Sequence, residues 1–374
     1  MEKKKILIVC TTDSMIWNFL TPHIDYLINK GHNVECACSR TGFYFDELKE
    51  RGYILHEVDF QRSPFRLKNI SAFFTLRKLI KYYGYDIIHC HEPVGGAMGR
   101  LAGRSCGKYV LYFAHGFHFF HGAPLKHWIL YYSFEYILSF LTDAIVTICK
   151  EDYERSKNFH AKNCYYIHGI GIDYSKYNIT DPEQYRNQIR KKLGIKNTDI
   201  VLITVGEMIR RKNHQIILES MSVIHRNDIH LIICGDGELK DYLLLMSKKF
   251  GIANNVHFLG FRRDIPNVLC AADLFIFPSL WEGLGLAGLE AMYMGIPVIG
   301  SKRQGIKDYV VDNKTGLLFN PQNKQELICC IQSVVNNPEN STKFGKNGRE
   351  VALKYSIENS ISDIEKIYIK EGII

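Results

Sequence analysis

Apolar residues recur along this chain with two alternating patterns. Short unbroken runs rich in Ile, Val, Leu, Cys and Phe stand between longer stretches whose apolar residues return every three or four positions. The short runs read as strands buried on both faces, the longer stretches as the helices that cover them. Lys4 to Cys10, Asn33 to Ser39, Tyr85 to His91, Tyr109 to His115 and Asp143 to Cys149 are predicted strands. Helices are predicted over Trp17 to Asn29, Phe43 to Arg51, Asn69 to Tyr83 and Lys126 to Thr142. The last of these is apolar nearly all round and reads as a buried helix, or else as a patch that docks on a membrane beside Lys126 and the basic 62–81 region. After a polar link, Ile172 to Asp199, the alternation restarts. Asp199 to Glu207, His230 to Gly237, Val256 to Gly260, Asp273 to Ser279 and Pro297 to Gly300 are further strand candidates. Ser356 to Ile369 has a helical pattern with no strand after it. Strands alternating with helices in two blocks argue for two α/β domains, each with a parallel sheet.

Length and composition agree with this. A chain of 374 residues, 46% hydrophobic and 23% charged, has room for two ordinary domains. The net charge of +8 fits phosphate-bearing ligands or an anionic membrane surface and is too small to argue for nucleic acid. The 11 cysteines form no C-x-x-C pair and suit a reducing cytosol. The apolar run Ile6 to Cys10 is too short for a signal peptide, and no window could span a bilayer. The expectation is a cytoplasmic protein, peripheral to the inner face of the membrane if it docks there. No G-x-G-x-x-G follows a first strand in either block, which disfavours a dinucleotide dehydrogenase.

The most informative segment is Pro278 to Ser301, PSLWEGLGLAGLEAMYMGIPVIGS. It reads as a glycine-bearing loop after a strand, then a helix, then a strand. A helix that opens after such a loop offers free N–H groups and a positive dipole end, which suits a diphosphate. Glu282 in the loop and Glu290 in the helix suit hydroxyls, as on a sugar and a ribose. His115 ends a predicted strand in AHGFHFFHGAP, where α/β proteins place active groups. His118 and His121 follow it, but Gly116 and Gly122 interrupt any helix and no acidic residue is near, so a metal site is not expected. His89 and His91 alternate on one strand and face one side, as core or cleft wall.

The spacing and flanks of Glu282 and Glu290 resemble the E-x7-E motif of the retaining family-4 glycosyltransferases, which have the GT-B fold. QRSPF (Gln61 to Phe65), IIHCHEP, AHGFHFFHGAP and CKEDYERSK resemble the bacterial capsule and exopolysaccharide subgroup. The resemblance implies two Rossmann-like parallel-sheet domains facing a cleft. Residues 1–172 would bind the acceptor and 173–355 the nucleotide-sugar, while 356–374 would form a C-terminal helix packing back on the first domain. It implies a hexose or N-acetylhexosamine moved from a UDP-sugar to a lipid-linked, polyprenyl-diphosphate glycan, with no metal or other cofactor. Glu290 would bind the ribose. Glu282 and the N–H groups of Gly283, Leu284, Gly285 and Leu286 would hold the sugar and β-phosphate. Lys212 would stabilise the leaving diphosphate, and His115 would orient the donor sugar. The family carries V-G-R-x-x-x-x-K where this chain has VGEMIRRK. Lys212 matches the lysine and Glu207 replaces the arginine. Either Arg210 or Arg211 supplies the second cation, or Glu207 orients one of them or the acceptor. Phe261 and Arg262, in GFRRD, would meet the nucleobase through backbone groups. GDGEL (Gly235 to Leu239) matches the family as function or as a turn. Asp308 stands where the family has the glutamate of G-x-x-E and would cap or brace the domain. Two other readings stay open: a nucleotide-sugar epimerase of the same fold, and a catalytically silent partner in a polysaccharide assembly complex.

Overall fold

Runs of Ile, Val and Leu without polar interruption pair best where both faces of a sheet are covered, and such runs form the centre of each sheet here. The structure, a computed structural model, describes residues 3–42, 44–61, 63 and 66–374. Arg62, Pro64 and Phe65 of the QRSPF segment, and Phe43 at the start of a predicted helix, lie outside the described residues. The chain divides into two compact units, Met1–Gly171 with Ile357–Ile374, and Ile172–Ser356.

The first unit is built on β1 (Lys5–Thr12), β2 (Asn33–Ser39), β3 (Ile54–Glu57), β4 (Ile87–His91), β5 (Tyr109–Ala114), β6 (Ala144–Thr147) and β7 (Asn163–Tyr166). Their order is β3-β2-β1-β4-β5-β6-β7, and every pairing is parallel. The order reverses between β1 and β4, where an open α/β sheet forms its crevice. The expected strands all appear. β3 and β7 were not expected: ILHE and NCYY are partly exposed edge strands, so no apolar run marks them. The Pro93–Ser105 helix is also missing from the hydrophobic pattern. Its four glycines each cost about 1 kcal/mol relative to Ala. They are needed by contact, since a Cβ at Gly96 would stand 2.4 Å from the Tyr112 ring and one at Gly99 2.6 Å from Cys90 Cβ. The helix therefore lies flush on the sheet. It carries a fully buried Arg100, whose Nη1 donates to Glu135 Oε2 at 2.8 Å.

The stretch Leu125 to Ser139 is helical, with a wider turn at Trp128–Tyr132. The expectation that it is buried all round is wrong. Trp128, Tyr132 and Leu138 pack into the core, while Leu125, Ile129, Ile137 and Phe140 are exposed. One helix face suffices to cover the sheet. The Ile357–Lys370 helix belongs to this unit: Ser360 Oγ donates to Gly169 O at 2.9 Å, and Tyr368 Oη lies 3.3 Å from His89 Nδ1.

The second unit holds β8 (Ile200–Val205), β9 (Ile229–Cys234), β10 (Val256–Gly260), β11 (Leu274–Phe277), β12 (Val298–Ser301) and β13 (Gly316–Phe319). The order is β10-β9-β8-β11-β12-β13, again all parallel, with the reversal between β8 and β11. The five expected strands are present; β13 is a four-residue run, GLLF, too short to stand out. The glycines of GDGEL serve close packing. A Cβ at Gly235 would stand 2.0 Å from Gly206 O, and one at Gly237 2.7 Å from Met208 O.

Candidate active site

Two loops meet at the switch point of the second sheet. The loop after β8 carries Gly206 to Asn213 and closes in a short turn, Arg210–Lys212. The loop after β11 carries Pro278 to Gly285 and leads into the Leu286–Tyr293 helix. Asn213 fastens them together. It adopts φ +56, tolerable for Asn, and its amide donates to Pro278 O at 3.1 Å and Pro321 O at 3.0 Å. Leu280 N donates to Arg211 O at 2.8 Å, and Arg211 Nη1 to Trp281 O at 3.2 Å.

Glu282 is the centre of this junction. Its buried Oε1 accepts from Lys212 Nζ at 2.6 Å and from Ser279 Oγ at 2.8 Å, and Arg211 Nη1 stands 2.7 Å away. Burial works against the charge on Glu282. Lys212 and Arg211 outweigh it and hold the carboxyl below its ordinary range. Of the two candidate arginines, Arg211 is the one that stands beside Lys212 at Glu282. Glu207 is exposed and makes no ion pair among the described residues, so it orients neither arginine.

Gly283, Leu284 and Gly285 turn the chain into the helix that Leu286 begins. Gly285 needs to be glycine twice over: its φ is +84, and a Cβ would meet the Phe277 ring at 2.5 Å. From behind, the loop is braced by GIKDY. Tyr309 Oη donates to Gly285 O at 2.9 Å, and Gly305 lies against Gly283 and Leu284. Glu290, in the second turn of the helix, is half-buried, and burial raises its pKa against a hydrogen bond from Tyr177 and the charges of Lys176 and Lys212. Beside this junction is a cavity of about 440 Å³ lined by residues that include Glu207, Gly235, Phe261 and Arg262. Arg262 is bound to Asp264 by two bonds of 2.8 and 2.6 Å, so its fork is engaged within the protein. Tyr177, Ser279, Asn213, Gly305 and Tyr309 were not identified from the sequence. Gly305 and Tyr309 carried a signal through the G-x-x-E segment in which Asp308 stands, and Ser279 lay within the Pro278 to Ser301 segment.

The first unit gathers its own groups at the carboxyl ends of β4 and β5. His91 Nδ1 lies 2.9 Å from His115 Nε2, and the His89 and His91 ring centres are 4.5 Å apart. Burial lowers His115 to about 4 and His91 well below its ordinary value. His118 turns away and stacks on Tyr131 at 4.8 Å. No group of three His, Cys, Asp or Glu suited to a metal occurs among the described residues. At the switch point, Glu92 adopts φ +62, unusual for a non-glycine residue. Its carboxylate accepts from Thr11 N at 2.9 Å and also from Thr12 N.

The loop after His115 is anchored by the first turn of the Lys150–Ser156 helix. Asp152 Oδ2 accepts from Phe117 N at 2.9 Å and Glu151 Oε1 from His121 N at 2.6 Å, which gives CKEDYERSK a physical meaning. Burial raises Asp152 from 3.8 to about 7. A carboxyl raised by folding contributes stability that is fully present below about pH 4 and is lost as the pH rises through about 7. Asp152→Asn keeps an acceptor for Phe117 N and removes the titration. Wild type is expected to lose ~4 kcal/mol relative to this variant between about pH 4 and about pH 8, read by denaturant unfolding. Parallel pH profiles for the two proteins would refute this.

Comparison with known proteins follows the same division. Residues 185–351 match the family model "Glycosyl transferases group 1", and residues 5–148 match "Glycosyl transferase 4-like". The chain is similar to the putative glycosyltransferase EpsD of Bacillus subtilis, 33% identical with 98% of this chain and 96% of that one covered. It is 27% identical to the Escherichia coli UDP-Gal:alpha-D-GlcNAc-diphosphoundecaprenol alpha-1,3-galactosyltransferase, covering 92% and 91%. Among solved structures, Anabaena HepE in complex with UDP superposes with a TM-score of 0.81 at 18% identity, covering 98% of this chain and all (100%) of that one. WaaG, a glycosyltransferase involved in lipopolysaccharide biosynthesis, gives 0.73 at 18%, covering 97% and 99%. These likenesses establish the GT-B fold.

Proposed function

The chain belongs to the group 1, 4-like glycosyltransferases, and on that premise we propose that it is a retaining enzyme using a UDP-sugar. It moves a hexose or N-acetylhexosamine to a hydroxyl of a polyprenyl-diphosphate-linked glycan in capsular or exopolysaccharide biosynthesis. The observation that carries this reading is the cluster of Lys212, Arg211 and Ser279 around Glu282, at the start of a helix in the crevice of the second sheet. Its cations and helix N–H groups suit a leaving diphosphate, and its carboxylate suits a sugar hydroxyl. The UDP named with HepE, and the UDP-Gal and diphosphoundecaprenol named for the Escherichia coli relative, support the choice of donor and acceptor.

In this reading Lys212, Arg211 and the N–H groups of Gly283 to Leu286 take up the charge that grows on the β-phosphate as the glycosidic bond breaks. Glu282 holds the sugar and Glu290 the ribose diol. Phe261 and Arg262 border the base, and His115 orients the sugar. The acceptor hydroxyl attacks the same face, and the departing phosphate takes its proton, so no protein nucleophile, metal or cofactor is needed. The protein works in the cytoplasm at the inner face of the membrane. Exposed Leu125, Ile129, Ile137 and Phe140 beside Lys126, and exposed Ile70 and Phe74 beside Lys78 and Lys81, support docking on an anionic bilayer. No helix among the described residues is long and apolar enough to cross a membrane.

Calorimetric titration with UDP, GDP and their sugar conjugates tests the donor. UDP-sugars are expected to bind selectively, and Glu290→Gln to weaken them about tenfold through the lost charged hydrogen bond. Preference for GDP, or unchanged affinity in the variant, would sink this assignment.

A further inference from the structure

Each of the two histidines that meet at 2.9 Å can either donate or accept, and burial decides which. His91 is fully buried, and its Nε2 has no hydrogen-bond partner among the described residues. If His115 Nε2 carried the proton and donated, His91 Nδ1 would accept and the His91 proton would sit on Nε2. That leaves a buried N–H without an acceptor, one of the costliest defects a core can hold. The opposite arrangement leaves only an unused lone pair at Nε2. His91 Nδ1–H then donates to His115 Nε2, and the His115 proton must sit on Nδ1.

We infer that His91 is a positioning residue that locks His115 in its Nδ1–H tautomer, so that His115 meets a sugar hydroxyl as a neutral hydrogen-bond donor. This rests on the reading above that His115 borders a sugar. An imidazole donor of fixed sense selects a hydroxyl oxygen as acceptor and leaves the hydroxyl proton free for a carboxylate. It also makes His115 unsuited to act as a base through Nε2, whose lone pair is engaged. Both rings are held neutral by burial, so the contact involves no imidazolium.

The test compares His91→Asn with His91→Gln. Asparagine places an amide N–H near the position of Nδ1, whereas glutamine places it near Nε2. Transfer or slow donor hydrolysis is expected to fall by no more than about threefold in His91→Asn and by about tenfold or more in His91→Gln, in kcat rather than KM. Long-range proton–nitrogen correlation spectra of histidine-labelled protein are expected to show the His115 proton on Nδ1 in wild type and in His91→Asn. A proton on His115 Nε2 in wild type, or equal losses in the two variants, would overturn the inference. His115→Ala separates the two readings: unchanged kinetics there would remove His115 from the sugar, while the spectra would still decide the tautomer.

Discussion

Lys212→Ala is expected to lower turnover by about 10²–10³-fold, the effect of removing one preorganised charge-stabilising donor. The fold should survive. Glu282 keeps Arg211 at 2.7 Å and Ser279 at 2.8 Å, so its buried carboxylate is not stranded. A loss of about 1–2 kcal/mol, well below that for an unpaired buried charge, is the expected stability cost. Lys212→Arg should not restore the rate fully, because a planar fork does not replace a compact ammonium packed along Gly206 and against the Phe277 ring. Steady-state kinetics and thermal unfolding on the same preparations separate the two effects. A drop of less than tenfold in kcat would remove Lys212 from the chemistry.

Gly305→Ala is the second large effect, and it acts without touching a ligand. The backbone of Gly305 is ordinary, with φ −61, so alanine meets no conformational strain. What it lacks is room. Its Cβ would stand 2.2 Å from Gly283 O and 2.5 Å from Leu284 Cα, both backbone atoms that cannot swing aside. The loop carrying Glu282 and the helix N–H groups must shift by an appreciable fraction of an ångström. A displacement on the order of 1 Å in a positioning loop costs about 10² in rate, and overpacking of this kind costs about 1–3 kcal/mol. Both losses should appear together, with weaker donor binding. A variant with wild-type kcat would show that GIKDY does not set the loop.

The candidate site was legible where one segment carries it whole. Glu282, Glu290 and the glycines between them lie in a single strand-loop-helix unit, so their spacing is itself the geometry. Lys212 was legible through the VGEMIRRK segment, whose lysine matches the V-G-R-x-x-x-x-K of the family it resembles. Asn213 and Tyr177 were not, because each acts through a partner tens of residues away that only the fold brings near; Ser279 bonds Glu282 only three residues on, but a serine after a proline carries no mark of that bond. Glu207 shows the limit from the other side. It stands where the family has an arginine, and the sequence left open whether Arg210 or Arg211 replaces that cation; only the fold shows that Arg211, one residue before Lys212, reaches Glu282. In the fold, β3, β7 and β13 escaped because edge or very short strands need no apolar run. The Pro93–Ser105 helix escaped because contact with Tyr112 and Cys90 requires glycines that helix propensity disfavours.

The two halves of the chain repeat one architecture, and Glu92 breaks the equivalence between them. In the second sheet the chain's own carboxylate at the order reversal, Glu282, is held by the side chains of Lys212, Arg211 and Ser279. In the first, the amides of Thr11 and Thr12 already hold the chain's own carboxylate. A phosphate arriving there would have to displace a covalently tethered competitor of like charge, present at an effective concentration no free nucleotide matches. The first half thus carries a built-in competitor for an anion at its own crevice. The molecule should count one nucleotide per chain, although its symmetry of construction would suggest two.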